Sequence, residues 1–198
     1  APVQITWLGY ANTTGLSSIG YRLTDDIADP PRADALHAET LIRMPNGFHC
    51  YQPPNVTLSQ NVPSQIAQHV TFGSFNDFAK ISPECVAAWS AILRNVPTAK
   101  LLLKARAFEN AAVREEVHSR FAAQGIEADQ LTLIGFQKTT IEHLRTYDRI
   151  DIALDTFPYC GTTTTCEALW MGIPVVSLSG DSHVARVGHS LLTRVGLN

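Results

Sequence analysis

Short apolar runs alternate with segments of helical periodicity from about His69 to the end of the chain. The apolar runs at 70–75, 101–103, 131–136, 150–154 and 175–178 predict buried strands. Apolar residues at helical spacing predict helices around 83–93, 113–121, 141–147, 167–171 and 185–195. Repeated alternation of this kind indicates a parallel sheet with helices on both faces. We therefore predict an α/β fold and expect ligands to bind at the carboxyl ends of its strands.

Local signals mark the ends of several of these helices. The Ser82 hydroxyl can cap a helix that begins at Pro83 and Glu84, because serine accepts a free backbone N–H and proline suits the first turn. Gly125 and Gly172 predict helix ends, since glycine readily adopts the left-handed conformation found there.

The first third of the chain has a different pattern. Residues 3–8 are rich in β-branched and aromatic side chains and predict a strand, and residues 9–15 predict a turn. A charged, proline-containing stretch follows at 25–32, residues 41–51 and the Pro53-Pro54 pair indicate loops and short strands, and Pro63 closes the region. We therefore predict two units, residues 1–66 and residues 67–198.

Composition narrows the class of protein. The chain has 198 residues, 45% of them hydrophobic, and 15 Lys and Arg against 18 Asp and Glu. This balance excludes a disordered chain and a nucleic-acid binder with a basic face. The apolar stretches are too short to cross a membrane. Four cysteines without metal-ligand spacing indicate reduced thiols, and no leader segment is visible, so we expect a cytoplasmic location.

The most unusual segment is Asp155-Thr-Phe-Pro-Tyr-Cys-Gly-Thr-Thr-Thr-Thr-Cys-Glu167, which lies between a predicted strand and a predicted helix. Consecutive threonines are unfavourable inside a helix, but at its start their hydroxyls join the free backbone N–H groups. Such a start binds anions, and phosphate is the natural ligand of Thr162, Thr163 and Thr164. The alternative is a helix with more caps than it needs and no ligand.

Four other residues are candidates for the same site. Glu167 has the residue type that binds ribose hydroxyls in nucleotide sites, although it could simply complement the helix dipole. Lys80 follows the 70–75 strand and could neutralise a diphosphate, or could be a solvated surface charge. Gln137 follows the 131–136 strand and could read a base edge, while the His143 ring could stack on the base or be structural.

His183 and Arg186 follow the last predicted strand in the same way, and either could contact a phosphate or an acceptor. Several motifs are absent from the sequence: the phosphate-binding loop of P-loop NTPases, the glycine-rich dinucleotide fingerprint and the nucleophile elbow of α/β-hydrolases. The sequence also lacks the Asp-x-Asp pair that holds a divalent ion and a diphosphate in one class of glycosyltransferases. We therefore expect no metal in the site.

The 154–174 segment closely resembles the catalytic region of the O-linked N-acetylglucosamine transferases and of their SPINDLY relatives, which transfer fucose. Three further segments resemble this family in the same order: Trp7-Leu-Gly-Tyr10 with the following Thr-Thr-Gly, Phe75-Asn-Asp-Phe-Ala-Lys80, and His183-Val-Ala-Arg-Val with Ser190-Leu-Leu. The resemblance covers essentially the whole chain. It implies a GT-B fold, in which two Rossmann-like domains face a cleft. Residues 1–66 would be the tail of the N-terminal, acceptor-side domain, and residues 67–198 most of the C-terminal, nucleotide-sugar-binding domain, incomplete at its C-terminus.

The resemblance also implies a role for each candidate residue. Lys80 is expected to be catalytic and to contact the diphosphate, together with the Thr-rich helix start. His143, Glu167 and the backbone around Gln137 and Lys138 are expected to hold the nucleoside. On the sugar and acceptor side the resemblance and the sequence pattern place four residues: Gly9, Tyr159, His183 and Arg186.

The activity implied is metal-independent, inverting transfer of N-acetylglucosamine from UDP-GlcNAc to Ser or Thr hydroxyls of a protein, without a cofactor. The resemblance further implies that tetratricopeptide (TPR) repeats precede the catalytic region, so this segment alone is expected to bind nucleotide but turn over little. In animal N-acetylglucosamine transferases a histidine replaces Thr162 and a small residue replaces Tyr159, whereas the Thr-rich form is shared with bacterial members and SPINDLY.

Fucose transfer from GDP-fucose therefore stays open as an alternative, as does an asparagine-glucosylating activity. A non-catalytic nucleotide-binding scaffold and an NAD-dependent oxidoreductase are further alternatives from other classes.

Overall fold

The computed structural model describes residues 1–58 and 62–197, and it contains two parallel β-sheets. Residues 59–61 and Asn198, which the sequence assigns to the first and second predicted domains, lie outside the described residues. The first sheet has the order β1-β2-β3 and is formed by β1 (Ile5–Thr6), β2 (Tyr21–Thr24) and β3 (Thr40–Arg43).

The second sheet has the order β6-β5-β4-β7-β8, and all of its neighbouring strands are parallel. Its strands are β4 (Thr71–Ser74), β5 (Lys100–Lys104), β6 (Leu131–Ile134), β7 (Ile152–Leu154) and β8 (Val175–Val176). The helices are α1 (Pro63–Ala67), α2 (Pro83–Asn95), α3 (Ala111–Ala122), α4 (Thr140–Arg145), α5 (Thr163–Trp170) and α6 (Val187–Arg194). The predicted α/β class is confirmed.

The core lies on both faces of the second sheet, as the alternation along β5 shows. Leu101 and Leu103 are buried in the cluster that contains Trp89 of α2. Leu102, between them, is buried in the opposite cluster, which contains Leu144. Helices therefore cover both faces of this sheet, as predicted. No helix in the described part of the chain is long and apolar enough to cross a membrane.

Several predicted boundaries needed correction. The 3–8 strand is reduced to Ile5–Thr6, and the strand Tyr21–Thr24 was not predicted at all. The short helix expected at 167–171 begins earlier, at Thr163, because the threonines form its first turn. Ile141 was expected on a buried helix face, but its side chain is exposed and only the end of that segment enters the core.

The two sheets meet along a polar seam. The turn His183–Ala185 and helix α6, both from the second unit, contact the loop that follows β2 through hydrogen bonds to Asp29 and Asp25. The Ser190 hydroxyl donates to the buried Asp25 carboxylate, and the Arg194 guanidinium donates to Asp26. The predicted boundary after residue 66 falls inside α1 and stays a prediction.

Candidate functional site

A pocket of about 210 Å³ lies where loops of the first sheet face the carboxyl edge of the second. It brings together five of the predicted residues: Gly9, Lys80, Tyr159, Thr162 and Thr163. The other lining residues are Leu8, Ala11, His49, Cys50, Tyr51 and Cys166. One wall therefore comes from each unit of the chain.

Lys80 lies in a single helical turn, Phe78–Lys80, that follows β4. Its Nζ donates to the carbonyl of Cys160 at 3.1 Å and lies 3.9 Å from the centre of the Tyr159 ring. An ammonium over an aromatic face is attracted to the ring electrons. Burial lowers the pKa of Lys80, although nearby Asp155 acts in the opposite direction. A half-buried cation thus stands at the pocket wall, against the loop that leads to α5.

The buried Asp155 carboxylate holds the loop between β7 and α5 through several hydrogen bonds. It accepts the backbone N–H of Thr156 at 2.9 Å and that of Gly161 at 2.6 Å. The same carboxylate accepts the Ser177 hydroxyl at 2.8 Å and the Asn76 amide at 3.3 Å. Burial raises the pKa of Asp155, and these donors oppose that effect. The loop is therefore folded back on a single buried acid.

The start of α5 presents free backbone donors to the pocket. The Cys166 N–H donates to the Thr162 carbonyl at 3.0 Å, which leaves the N–H groups of residues 163–165 without a helical acceptor. The Thr162 side chain does not cap them. The Thr164 hydroxyl donates to Asn76 Oδ1 at 2.9 Å and so anchors the helix to β4. The side-chain cap of the alternative interpretation is therefore not formed by Thr162, and the anion site expected at these N–H groups stays a prediction.

Glu167 and His143 form a hydrogen-bonded chain beside this pocket. His143 Nε2 lies 2.8 Å from Glu167 Oε2, and His143 Nδ1 lies 2.6 Å from the Lys104 ammonium. Because an ammonium only donates, Nδ1 must accept and Nε2 must carry the proton that goes to Glu167. The Tyr147 hydroxyl donates to the Thr164 carbonyl at 3.1 Å and joins this group to α5. The acid and the ring are thus held in fixed orientations.

Gln137 and Lys138 follow β6 at the same carboxyl edge of the sheet, and Lys138 is exposed. They precede α4, whose start is closed by a capping box between Thr139 and Glu142. They are not among the residues that line the pocket. Their predicted contact with a base stays a prediction.

Residues 53–198 match the family described as Glycosyl transferase family 41. This chain belongs to glycosyl transferase family 41. It is 45% identical over 198 residues to a SPINDLY protein of Oryza sativa subsp. japonica, named as a "probable UDP-N-acetylglucosamine–peptide N-acetylglucosaminyltransferase". It is 31% identical over 210 residues to the SEC protein of Arabidopsis thaliana, which has the same enzyme name.

Each alignment covers 100% of this chain but 21% of the relative, so the chain spans about a fifth of the length of these curated relatives. The structure also matches a lysine-to-methionine variant of the O-GlcNAc transferase of Thermobaculum terrenum, with a TM-score of 0.93 and 37% identity. That match covers 100% of this chain and 37% of the other. It confirms the GT-B fold of family 41 for this chain.

Within this family 41 chain, His183 and Arg186 follow β8 as expected and contact the first unit. His183 is buried in the seam, with Nδ1 2.7 Å from Asp29 and Nε2 3.1 Å from Arg22. The Arg186 guanidinium donates to the Ile27 carbonyl at 2.7 Å. The polar atoms of His183 are thus engaged inside the protein, between the two sheets, and the expected contacts of His183 and Arg186 with a phosphate or acceptor stay predictions.

Sequence reasoning did not single out Asp155, Asn76 or Lys104. Asp155 had a usable signal, because it is the first residue after β7 and therefore lies at the carboxyl edge of the sheet. Asn76 and Lys104 are also at strand ends, but only the tertiary contacts give them partners. Among residues 1–58 and 62–197, no group of three or more His, Cys, Asp and Glu side chains is placed to hold a metal ion.

Proposed function

We propose that this chain is the donor-binding half of a protein O-glycosyltransferase that moves N-acetylglucosamine from UDP-GlcNAc to Ser or Thr hydroxyls. One observation carries the proposal: a half-buried ammonium and a free helix N-terminus share one pocket, beside a fixed carboxylate and imidazole. A nucleotide sugar has a diphosphate, a ribose and a base in that order. The ammonium and helix N-terminus, the carboxylate and the imidazole offer a partner for each of these parts.

Lys80 and the start of α5 are the proposed partners of the leaving diphosphate. As the bond between the sugar carbon C1 and the diphosphate breaks, negative charge grows on the diphosphate oxygens. The Lys80 ammonium lines the pocket and the N–H groups of residues 163–165 have no helical acceptor, so on this proposal both are available to stabilise the growing charge. We propose that these groups neutralise the diphosphate in place of a metal ion.

The opposite wall of the pocket is the proposed side from which the acceptor approaches. Leu8, Gly9 and Ala11 line the pocket from the first unit. We propose that the acceptor hydroxyl approaches the sugar from this side, so that its oxygen forms the new bond to C1 opposite the departing diphosphate and the configuration inverts. The hydroxyl proton passes to a general base. Holding both reactants in line is the main contribution of such a cleft.

The nucleoside accounts for Glu167 and His143. We propose that Glu167 accepts the ribose hydroxyls and that the His143 ring packs on the base. The ring is already supported by neighbouring aromatic rings, with centroids 6.4 Å away at Phe75 and 5.8 Å away at Tyr147. Such support reduces the ordering cost of binding.

We keep GDP-fucose as a second candidate donor because the Thr-rich segment resembles that of the SPINDLY proteins, although both compared relatives are named as N-acetylglucosaminyltransferases. The chain is 45% identical to the rice SPINDLY protein and 31% identical to the Arabidopsis SEC protein. The SPINDLY-type Thr162 lies in the pocket wall, where the N-acetylglucosamine transferases of animals have histidine. In this alternative the diphosphate chemistry is unchanged, and the sugar and the base differ.

Thermal unfolding with UDP, GDP and NAD in parallel tests the proposal. A ligand at about 100 times its Kd stabilises the folded state by about 2.7 kcal/mol. We expect UDP to raise the Tm, and Lys80→Met to abolish the shift. The matched control is Lys100→Met, because Lys100 pairs with Asp129 away from the pocket. A shift with GDP alone would select the fucose donor, and a shift with NAD alone would contradict both.

Transfer itself is tested in the natural polypeptide that contains this chain, with labelled UDP-GlcNAc or GDP-fucose and a Ser/Thr-rich protein acceptor. An enzyme loses transfer by orders of magnitude in the Lys80→Met variant. A scaffold would show no transfer in either form and would keep its partner binding.

A further inference from the structure

The seam between the sheets contains a fully buried arginine. Arg22 on β2 is 1% exposed. Its guanidinium donates to the carbonyl of Asn12 at 2.6 Å, to the carbonyl of Tyr10 at 2.9 Å and to His183 Nε2 at 3.1 Å. His183 in turn contacts Asp29 through Nδ1 at 2.7 Å. A chain of polar contacts therefore runs from Asp29 through a histidine of the second unit to a loop of the first.

The protons in this chain have one consistent arrangement. A guanidinium only donates, so His183 Nε2 must accept from Arg22 and cannot carry a proton. The proton of the ring is therefore on Nδ1 and is donated to the Asp29 carboxylate, which also accepts the Thr24 hydroxyl. His183 therefore bridges the buried Asp29 carboxylate, to which it donates, and the buried Arg22 guanidinium, from which it accepts.

The loop that Arg22 holds is the first-unit wall of the pocket. Tyr10 and Asn12, whose carbonyls accept from Arg22, alternate along the chain with Gly9 and Ala11, which line the pocket. We propose that His183 is a positioning residue, which acts through Arg22 to fix the Leu8–Asn12 wall of the pocket against the second unit. The consequence for sugar transfer rests on the proposed function, but the positioning itself does not.

Loss of His183 would leave the Arg22 guanidinium short of hydrogen-bond acceptors. Its Nε is already buried without a hydrogen-bond partner among the described residues. Removing the Nε2 acceptor would leave a second part of the buried guanidinium unpaired, which is costly in a dry site. The neighbouring stretch has a separate anchor, because Glu39 accepts the Thr14 N–H at 2.6 Å and the Thr13 hydroxyl at 2.7 Å. Loss of His183 should therefore release residues 8–12 and leave 13–14 in place.

A nitroxide label at position 10 reports this release. Tyr10 is 61% exposed, so its side chain is replaceable while its carbonyl still accepts from Arg22. In a Tyr10→Cys background with the exposed Cys50 replaced by Ser, His183→Leu should remove the slow-motion part of the label's spectrum. His183→Gln, which restores one donor and one acceptor, should recover it. The exposed His189→Ala is the matched control and should change nothing.

A second label on α3, at Ser119→Cys, separates local release from general loosening. The inference is overturned if His183→Leu mobilises both labels equally or mobilises neither. Arg22→Met should release the wall by itself, and adding His183→Leu to it should release it no further. A further release in the double variant would show that His183 does not act through Arg22.

The wild-type chain offers a test that needs no variant. Nitrogen NMR of its histidines should show His183 protonated at Nδ1 and bare at Nε2, and the opposite tautomer would overturn the inference. UDP affinity is measured on the same variants. Because the His183 side chain bonds to Arg22 and Asp29 and not to Lys80 or α5 among the described residues, His183→Leu should keep UDP binding and lose transfer in the natural polypeptide. Failure of the wild type to bind UDP would contradict the proposed function and leave the label and NMR results decisive.

Discussion

The carboxylate of Asp155 accepts the backbone N–H of Gly161 at 2.6 Å, which closes the loop between β7 and α5 into a ring. This closure turns the Cys160 carbonyl toward the Lys80 ammonium, 3.1 Å away. It also sets the direction of the first turn of α5. The cation and the free helix donors are therefore placed by one buried acid that does not itself line the pocket.

Asp155→Asn should lower the free energy of unfolding. An amide has one donor and one acceptor end, so it cannot accept from Gly161, Thr156 and Ser177 together, and buried donors are left unpaired. A hydrogen bond to a charged group contributes about 1.5–3 kcal/mol, and we expect a loss of that order in the free energy of unfolding measured in urea. The exposed Asp129→Asn is the control and should have no comparable effect. Equal effects would contradict the central role of Asp155.

Gly161→Ala should disturb the same loop by overpacking. A Cβ at position 161 would lie 2.5 Å from the Thr164 hydroxyl oxygen and 2.9 Å from Asn76 Oδ1. Both atoms belong to the hydrogen bond that anchors α5, so we expect a loss of about 1–3 kcal/mol in urea unfolding and weaker UDP binding. Gly20→Ala is the matched control, because a Cβ there meets nothing within 4 Å. A silent Gly161→Ala would show that the loop yields easily.

The second sheet was predictable because its signals are local. Buried runs such as Leu101, Leu102 and Leu103 indicate a strand covered on both faces, and Ser82 caps α2 as its sequence position suggests, accepting the Cys85 N–H at 3.2 Å. The Thr-rich segment and Lys80 were also found from residue type and position. Their place in one pocket follows from the parallel order of the strands.

The first unit and the seam were not predictable in this way. The Tyr21–Thr24 strand carries Arg22 in its middle, and a charged residue argues against a buried strand until its partners are known. Those partners are 10, 12 and 161 residues away in sequence. His183 was interpreted as a ligand contact for the same reason, since the sequence gives no sign of Asp29. Tertiary polar contacts of this kind override local patterns.

Glu167→Ala should weaken UDP binding without affecting a ligand that has no ribose. If Glu167 accepts ribose hydroxyls, its loss removes charge-assisted hydrogen bonds and lowers UDP affinity about tenfold or more. Inorganic pyrophosphate should bind the variant as it binds the wild type, whereas Lys80→Met should weaken both ligands. Calorimetric titration of the two ligands against both variants gives the comparison. Equal weakening of pyrophosphate by Glu167→Ala would assign the acid to the shape of α5 instead.

His49, in the pocket wall, should make the fold sensitive to acid. Burial lowers the pKa of His49 to about 4, with Asp25 acting in the opposite direction. The unfolded chain binds this proton near pH 6.5, so between about pH 6.5 and 4 the unfolded state holds more protons and stability falls as the pH falls. Below about pH 4 both states are protonated and this contribution is constant. The wild type should therefore lose about 1–3 kcal/mol more than His49→Gln across that window, measured by urea unfolding at each pH. Parallel curves for the two proteins would show that His49 reaches water in the folded state.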